Sequence, residues 1–240
     1  MIDWITAVLP CKHDPSKLVS GMVMSFDSQG NNEWVVNKQV TVEGSYSSKI
    51  QVKSHTDSTI WISGNPTKFL QGHNIFGTDD LRYLMSKFFD ALLKHEDLGL
   101  CPTEKQYQGI QDGDYTLKRV DLNQSWHLKD RETVLAWIRA AGSCARLKHR
   151  GAGQYTGDTL DFGKNSRRWA VKCYSKGHEI NAKSHKLPDE LQLPELMEWA
   201  DKALRIEIVI RSMQLKDWLL HSGKSWTPDT SKMLLCSCVI

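Results

Sequence analysis

The chain has 240 residues, room for one large domain or two small ones, and its 40% hydrophobic and 25% charged composition excludes a disordered or fibrous protein. No apolar run approaches the roughly 20 residues that cross a bilayer, and the six cysteines include no Cys-x-x-Cys pair, which points away from zinc or a disulfide framework and toward a reducing cytoplasm. A formal net charge of +3 is too small to identify a nucleic-acid partner, so local clustering of charge must decide.

Residues 1–10 lack a basic lead and a small-residue cleavage site, and read as a first β-strand rather than a signal peptide. Residues 34–63 are rich in valine, isoleucine and threonine. Ile50-Gln51-Val52 and Ile60-Trp61-Ile62 alternate as strands do, with a hairpin turn from His55 to Ser58. A helix is predicted next, with Thr78 as N-cap and Asp79 and Asp80 in its first turn. Its apolar residues Leu81, Leu84, Met85, Phe88, Phe89 and Leu92 share one face, and Gly99 and Pro102 close the unit. A strand over 115–122 precedes a helix over 131–141 ended by Gly142. Four glycines within 151–163 predict a β-hairpin leading to a strand at 167–176. A third helix starts near Pro194, a favoured first-turn position. Alternation returns over 204–211, and a last helix over 215–221 stops at Gly223. Neither internal repeats nor low-complexity tracts occur. The order β-β-α-β-α-β-β-α-β-α predicts an α+β fold with a mainly antiparallel central sheet and flanking helices.

Side chains on a strand point alternately to opposite faces. In 117–122, Arg119 and Asp121 share the face opposite Val120 and Leu122. In 170–176, Lys172, Tyr174 and Lys176 oppose Val171 and Cys173; Cys173 is expected to be buried and inert. In 204–211, Arg205, Glu207, Val209 and Arg211 oppose the apolar Leu204, Ile206, Ile208 and Ile210. If these strands are neighbours, two carboxylates, a tyrosine and several cations meet on one polar surface.

That set of groups suits phosphodiester cleavage. Asp121 and Glu207 can hold a hard divalent cation, Mg²⁺ or Mn²⁺, and the cation offsets charge on the phosphate. Tyr174 is a weak nucleophile at its free pKa near 10, so it needs a neighbouring cation; Lys176 can supply this or contact the phosphate. Arg119, Lys172, Arg205 and Arg211 form a basic face for DNA. Arg167, Arg168 and Lys172 beside Trp169 suit phosphate contact or base stacking. His73 and Asn74 precede a helix N-terminus, an anion site. Ordinary structure accounts for the same residues differently: ion pairs of Asp121 and Glu207 with Arg119 and Arg205, a half-buried strand tyrosine, and a turn at Gly72.

Lys118-Arg119-Val120-Asp121, Cys173-Tyr174-Ser175-Lys176 and Leu204-Arg205-Ile206-Glu207 resemble the Arg-x-Asp, Tyr-x-Lys and Arg-x-Glu motifs of the filamentous-phage replication initiators, the gene II/X family; plasmid rolling-circle initiators carry a similar trio. The run from Lys68 through His73 and Asn74 to Leu81 resembles a signature of the phage family, as does the opening Met1-Ile2-Asp3-Trp4, so the likeness covers about residues 1–230. The resemblance implies a Rep/relaxase-like nuclease domain over 1–230, with possible substructure at 1–100 and 101–230. It implies nicking of double-stranded phage origin DNA through a covalent 5′-phosphotyrosine, followed by strand transfer and rejoining. Double- and single-stranded DNA and the host replication machinery are the implied partners, the bacterial host cytoplasm the implied location, with no membrane. The sequence departs from the pattern twice. None of the nine histidines forms a His-x-His pair, which favours a carboxylate metal site. Residues 231–240 form an atypical tail where initiators usually continue, so the C-terminal part is expected to be missing. A non-catalytic DNA-binding regulator and a truncated, inactive remnant are the other readings.

Overall fold

In a computed structural model that describes residues 1–182 and 186–239, the strands are β1 (Ile2–Pro10), β2 (Gly21–Phe26), β3 (Asn32–Lys38), β4 (Val40–Glu43), β5 (Lys49–Thr56), β6 (Thr59–Gly64) and β7 (Thr116–His127). They continue with β8 (Arg146–Leu147), β9 (Gly151–Ala152), β10 (Gln154–Thr156), β11 (Thr159–Phe162), β12 (Trp169–Ser175) and β13 (Ala203–Arg211). Nine of them build one sheet in the order β10-β11-β12-β13-β7-β1-β6-β5-β4, every neighbouring pair antiparallel. β2–β3 and β8–β9 are separate two-stranded ribbons. The helices are α1 (Pro66–Gln71), α2 (Leu81–Leu92), α3 (Glu104–Gln111), α4 (Arg131–Cys144), α5 (Lys176–Asn181), α6 (Pro194–Asp201), α7 (Ser212–Asp217) and α8 (Pro228–Val239). The α+β class with a central antiparallel sheet and flanking helices is as expected.

The main core lies on one side of this sheet. Leu117, Val120 and Leu122 of β7, Val171 and Cys173 of β12, and Leu204, Ile206, Ile208 and Ile210 of β13 join one buried cluster with the six expected apolar residues of α2 and with Val134 and Ile138 of α4. Six buried side chains at about 1.5–3 kcal/mol each hold α2 in place far more strongly than its cap, worth about 1 kcal/mol. That cap is Asp80, not Thr78: the Asp80 carboxylate accepts from the Tyr83 N–H, while the Thr78 hydroxyl accepts from the Asp80 N–H one turn earlier. His73 and Asn74 therefore sit in the connection between α1 and α2 and not at a helix N-terminus, a correction to the expected anion site. α4 runs through Gly142 to Cys144, because that glycine serves close packing: a Cβ there would lie 3.0 Å from Tyr155. α7 begins at Ser212, earlier than expected. α8 spans the expected boundary at 230/231 and buries Ser231 and Leu235, so the first part of the atypical tail is packed into the fold. Among the described residues, no helix is long and apolar enough to cross a membrane.

A second, smaller apolar cluster lies apart from the main core. Ile75, Ile180, Leu187 and Ala200 meet there, with Trp199 against them. It joins α5, α6 and the α1–α2 connection near the polar side of β12 and β13, and so adds cover to the polar face on which the candidate site lies.

Candidate active site

The three motif strands are adjacent. β13 lies between β12 and β7, with Lys172 opposite Glu207, Tyr174 opposite Arg205, and Val209 opposite Asp121. Alternation carries Asp121, Glu207 and Tyr174 to the side away from the main core. Two β-bulges between β1 and β7 adjust the details, as bulges near functional sites commonly do. One places Thr6 opposite Arg119 but Ala7 opposite Leu117, which returns Leu117 to the core; the other falls at Asp3, between the Ile2–Leu122 and Trp4–Asp121 pairs. Asp3 is thereby able to accept hydrogen bonds from Asn65 Nδ2 (2.7 Å) and Asn74 Nδ2 (2.8 Å). Asp3 is absent from the site residues that sequence reasoning selects; the family-like opening Met1-Ile2-Asp3-Trp4 and a lone acid in a mainly apolar strand are the signals for it.

Tyr174 is 5% exposed, and its hydroxyl donates to Glu207 Oε2 at 3.3 Å. The Lys172 ammonium stands 4.7 Å over the tyrosine ring. Burial raises the Tyr174 hydroxyl well above its ordinary value, and the charges of Glu179 and Glu207 add to the shift. Burial also lifts the Glu207 carboxyl to about 8, reinforced by Asp3 and Asp121. Asp121 accepts two hydrogen bonds from Arg119, Nε to Oδ1 at 2.7 Å and Nη2 to Oδ2 at 2.5 Å. Burial still raises its carboxyl to about 6 against the pull of that arginine.

Lys176 is not a strand residue. The chain turns at Ser175, whose hydroxyl caps α5, and Lys176 opens that helix. It is fully buried, and its ammonium donates to Asn74 Oδ1 (2.8 Å) and Glu179 Oε2 (2.5 Å). Burial lowers its pKa while Glu179 opposes the shift. Arg205 is buried too: it donates to Ser125 Oγ (3.1 Å), Asn74 O (2.6 Å) and Ile75 O (2.8 Å). Lys176 and Arg205 thus fix the α1–α2 connection over the sheet instead of facing solvent. His73 Nδ1 takes the Ile75 N–H at 3.3 Å, and burial lowers its pKa with Lys176 adding.

The other expected DNA contacts lie further out. Arg211, opposite Arg119, donates to Lys164 O at 3.3 Å, while its buried Nη1 has no hydrogen-bond partner among the described residues. Arg167 and Arg168 are exposed in the bend before β12, with Arg168 ion-paired to Asp217. Lys68 sits in the last turn of α1 and lines a surface depression with Trp4 and Asn65. Cys173 is buried, and burial pushes its thiol up to about 12, with Asp161 adding.

Among the described residues, no three His, Cys, Asp or Glu side chains are grouped to hold a metal ion alone. Asp121 and Glu207 nevertheless suit a hard cation: both are oxygen donors, each carboxyl is raised, and Asp121 adds to the shift of Glu207. Magnesium typically uses one or two carboxylates and completes its shell with water and phosphate oxygens, which this pair permits.

A family model for the N-terminal part of the phage replication-associated protein, the gene II product, matches residues 1–229. The gene II replication-associated protein of Enterobacteria phage I2-2 is 40% identical over 239 aligned residues, covering 96% of this chain and 68% of that protein. The structure of a rolling-circle replication initiator protein from Geobacillus stearothermophilus overlaps at a TM-score of 0.34 and 14% identity, covering 99% of this chain and 78% of that one. That overlap is too distant to carry an argument. With the family model spanning nearly the whole length and a curated relative at 40% identity, the chain belongs to the phage gene II replication-associated protein family, whose N-terminal part it matches.

Proposed function

We propose that this chain is a metal-dependent DNA endonuclease and strand transferase that starts rolling-circle replication by nicking one strand of phage origin DNA through Tyr174. The observation that carries the reading is the contact between the Tyr174 hydroxyl and Glu207, beside Asp121 on one sheet face. A carboxyl raised to about 8 is a base matched to neutral pH once ionised. Glu207 Oε2 takes the phenolic proton as the Tyr174 oxygen bonds to phosphorus. The bond from phosphorus to the 3′ oxygen breaks, and Glu207 returns the proton to that oxygen. The products are a 3′-hydroxyl and a 5′-phosphotyrosine; attack by a 3′-hydroxyl in the reverse sense frees Tyr174 and rejoins the strand.

Asp121 and Glu207 are the residues that would hold a divalent cation, which when bound would polarise the phosphate and offset its negative charge. Lys176 acts as a positioning residue, holding Asn74 and Glu179. Exposed Arg167 and half-buried Arg211 suit phosphate contact, together with Arg119 paired to Asp121, Lys172 opposite Glu207 and Lys68 beside Trp4. In this reading the protein works in the bacterial host cytoplasm beside host replication proteins. The burial of Tyr174 favours a second reading, a regulator that binds DNA without cutting it. Incubation with supercoiled plasmid carrying the parental phage origin, with and without Mg²⁺, separates the two. Nicking that needs the cation supports the enzyme, and retarded but uncut plasmid supports the regulator.

A further inference from the structure

β7 outruns its neighbour. β1 pairs with it no further than Leu122, and the Asn123 N–H then meets the Met1 carbonyl at 2.8 Å. Among the described residues, 124–127 of β7 pair with β13 on one edge only. By the alternation of an antiparallel strand, Ser125 turns its N–H and C=O to the same edge as Asn123, where no strand among the described residues follows. At that edge lies a cleft of about 350 Å³, walled by Phe76 and Trp199 and reached by Lys232. The two aromatic rings meet edge to face at 4.7 Å, and Phe76 is 45% exposed. Asn123 also lines the cleft; it is buried, its Nδ2 has no hydrogen-bond partner among the described residues, and it stands opposite Glu207 on the face of Asp121. Asp79 is the carboxylate of the lining, and it is ion-paired 3.0 Å from the Met1 amine.

We propose that this cleft is a nucleobase pocket, which takes one unstacked base of single-stranded DNA next to the scissile phosphate. The inference rests on the nuclease reading above and adds a subsite to it. The volume lies at the small end of ligand pockets, where a single base fits. Aromatic walls stack on the π-face of any base. The Asn123 amide and the open backbone edge at Ser125 offer donors and an acceptor to the base edge, and Lys232 offers a charge to the adjoining phosphate. Through Asn123 the cleft abuts the carboxylates, so a base seated in it would fix which phosphate reaches Tyr174.

The test uses the full chain in EDTA, so that binding is read without cleavage. The probe is a fluorescein-labelled single strand of the parental phage origin, prepared as a series in which one abasic site moves nucleotide by nucleotide past the nick. For the wild type, anisotropy should show a loss of about tenfold in affinity at one position beside the nick, the cost of one base–aromatic stack. Phe76→Ala should lose about the same factor on the intact strand and show no further loss at that abasic position. Trp199→Leu gives an independent check, with circular dichroism verifying that each variant folds. A wild type indifferent to every abasic position, or variants that keep the full abasic penalty, would overturn the pocket. Formation of a covalent adduct by the wild type on the unmodified strand in Mg²⁺ is scored in parallel. Its absence counts against the nuclease reading, while its presence without a sensitive position counts against the pocket alone.

Discussion

Tyr174→Phe separates chemistry from structure at a single atom. The ring is buried under Lys172, and phenylalanine fills the same space. What disappears is one hydrogen bond of 3.3 Å to a carboxyl that burial keeps largely protonated near neutral pH. A bond of that length and partner is worth no more than about 1 kcal/mol net, which in a chain of this size shifts the melting temperature by about 2–4 °C at most. Binding to single-stranded DNA depends on phosphate contacts made elsewhere, so its affinity and its steep fall with salt should persist. The covalent adduct should vanish, because phenylalanine offers no nucleophile. Denaturing electrophoresis of protein incubated with labelled origin strand in Mg²⁺ reads this directly as a slower band. If the band survives in Tyr174→Phe, the nucleophile is a different residue. Tyr115 is a poor alternative, since it is buried in the main core with burial raising its hydroxyl, which leaves Tyr155 on β10 as the next to replace. If the wild type itself gives only free ends, water is the nucleophile and the tyrosine role is refuted.

Glu207→Gln should lower nicking by about 10²-fold or more, the usual weight of a general base, with no loss of stability at pH 9. Asp121→Asn should abolish nicking in limiting Mn²⁺ and cost about 1–3 kcal/mol in a denaturant melt, less than a fully buried pair because Arg119 is 38% exposed at its side chain; normal nicking would leave the ion pair as its whole role. Wild-type stability should fall as pH rises from about 4.5 to about 8. The sign follows because folding raises the Glu207 carboxyl from 4.5 to about 8, so the native state holds a proton that the unfolded chain releases; calorimetric melts across this range should show the slope, and Glu207→Gln should flatten it. Gly72→Ala should destabilise by more than about 1 kcal/mol and depress nicking through the displaced α1–α2 connection, since Gly72 has φ +83° and a Cβ there would run into Tyr46 and Leu191; melting temperature and plasmid nicking check both effects.

What is legible in the sequence follows from strand periodicity. The alternation in 204–211 assigns Leu204, Ile206, Ile208 and Ile210 to the core and Glu207 away from it, and adjacent strands then bring Asp121 and Tyr174 to the same side. Periodicity says which face a side chain takes, but not whether that face is covered. Arg205 reads as a cation for DNA, yet the second apolar cluster lies over its face and its guanidinium is spent on Asn74, Ile75 and Ser125. Asp3 escapes because a bulge, which alternation cannot represent, sets its direction. Alternation puts Lys176 on a strand, but a cap is decided by one hydroxyl: the Ser175 side chain takes the His178 N–H and starts a helix within two residues of Tyr174. β2, α1, α5 and α8 leave no clear trace in the pattern, since most are short and α8 begins outside any clear apolar period, while α3 is signalled by its Thr103–Gln106 capping box alone.

In the proposed nuclease, a site so thoroughly buried must be made ready for DNA. Asp3, Asp121 and Glu179 all push the Glu207 proton on, while Lys172 alone among the main influences pulls it off. At pH 7 the resting carboxyl is therefore largely protonated. A protonated carboxyl is neither a good cation ligand nor a base, so Glu207 must ionise before either role begins. Cation affinity should consequently climb with pH up to about 8 and level off beyond it, with close to one proton released per cation bound below that point. Calorimetric titration of Mn²⁺ into wild-type protein, in two buffers of different ionisation enthalpy, counts the protons. Glu207→Gln should bind more weakly and release none. Equal proton release from wild type and Glu207→Gln would move the ionising group elsewhere, with Asp121, raised to about 6, the next carboxyl to test.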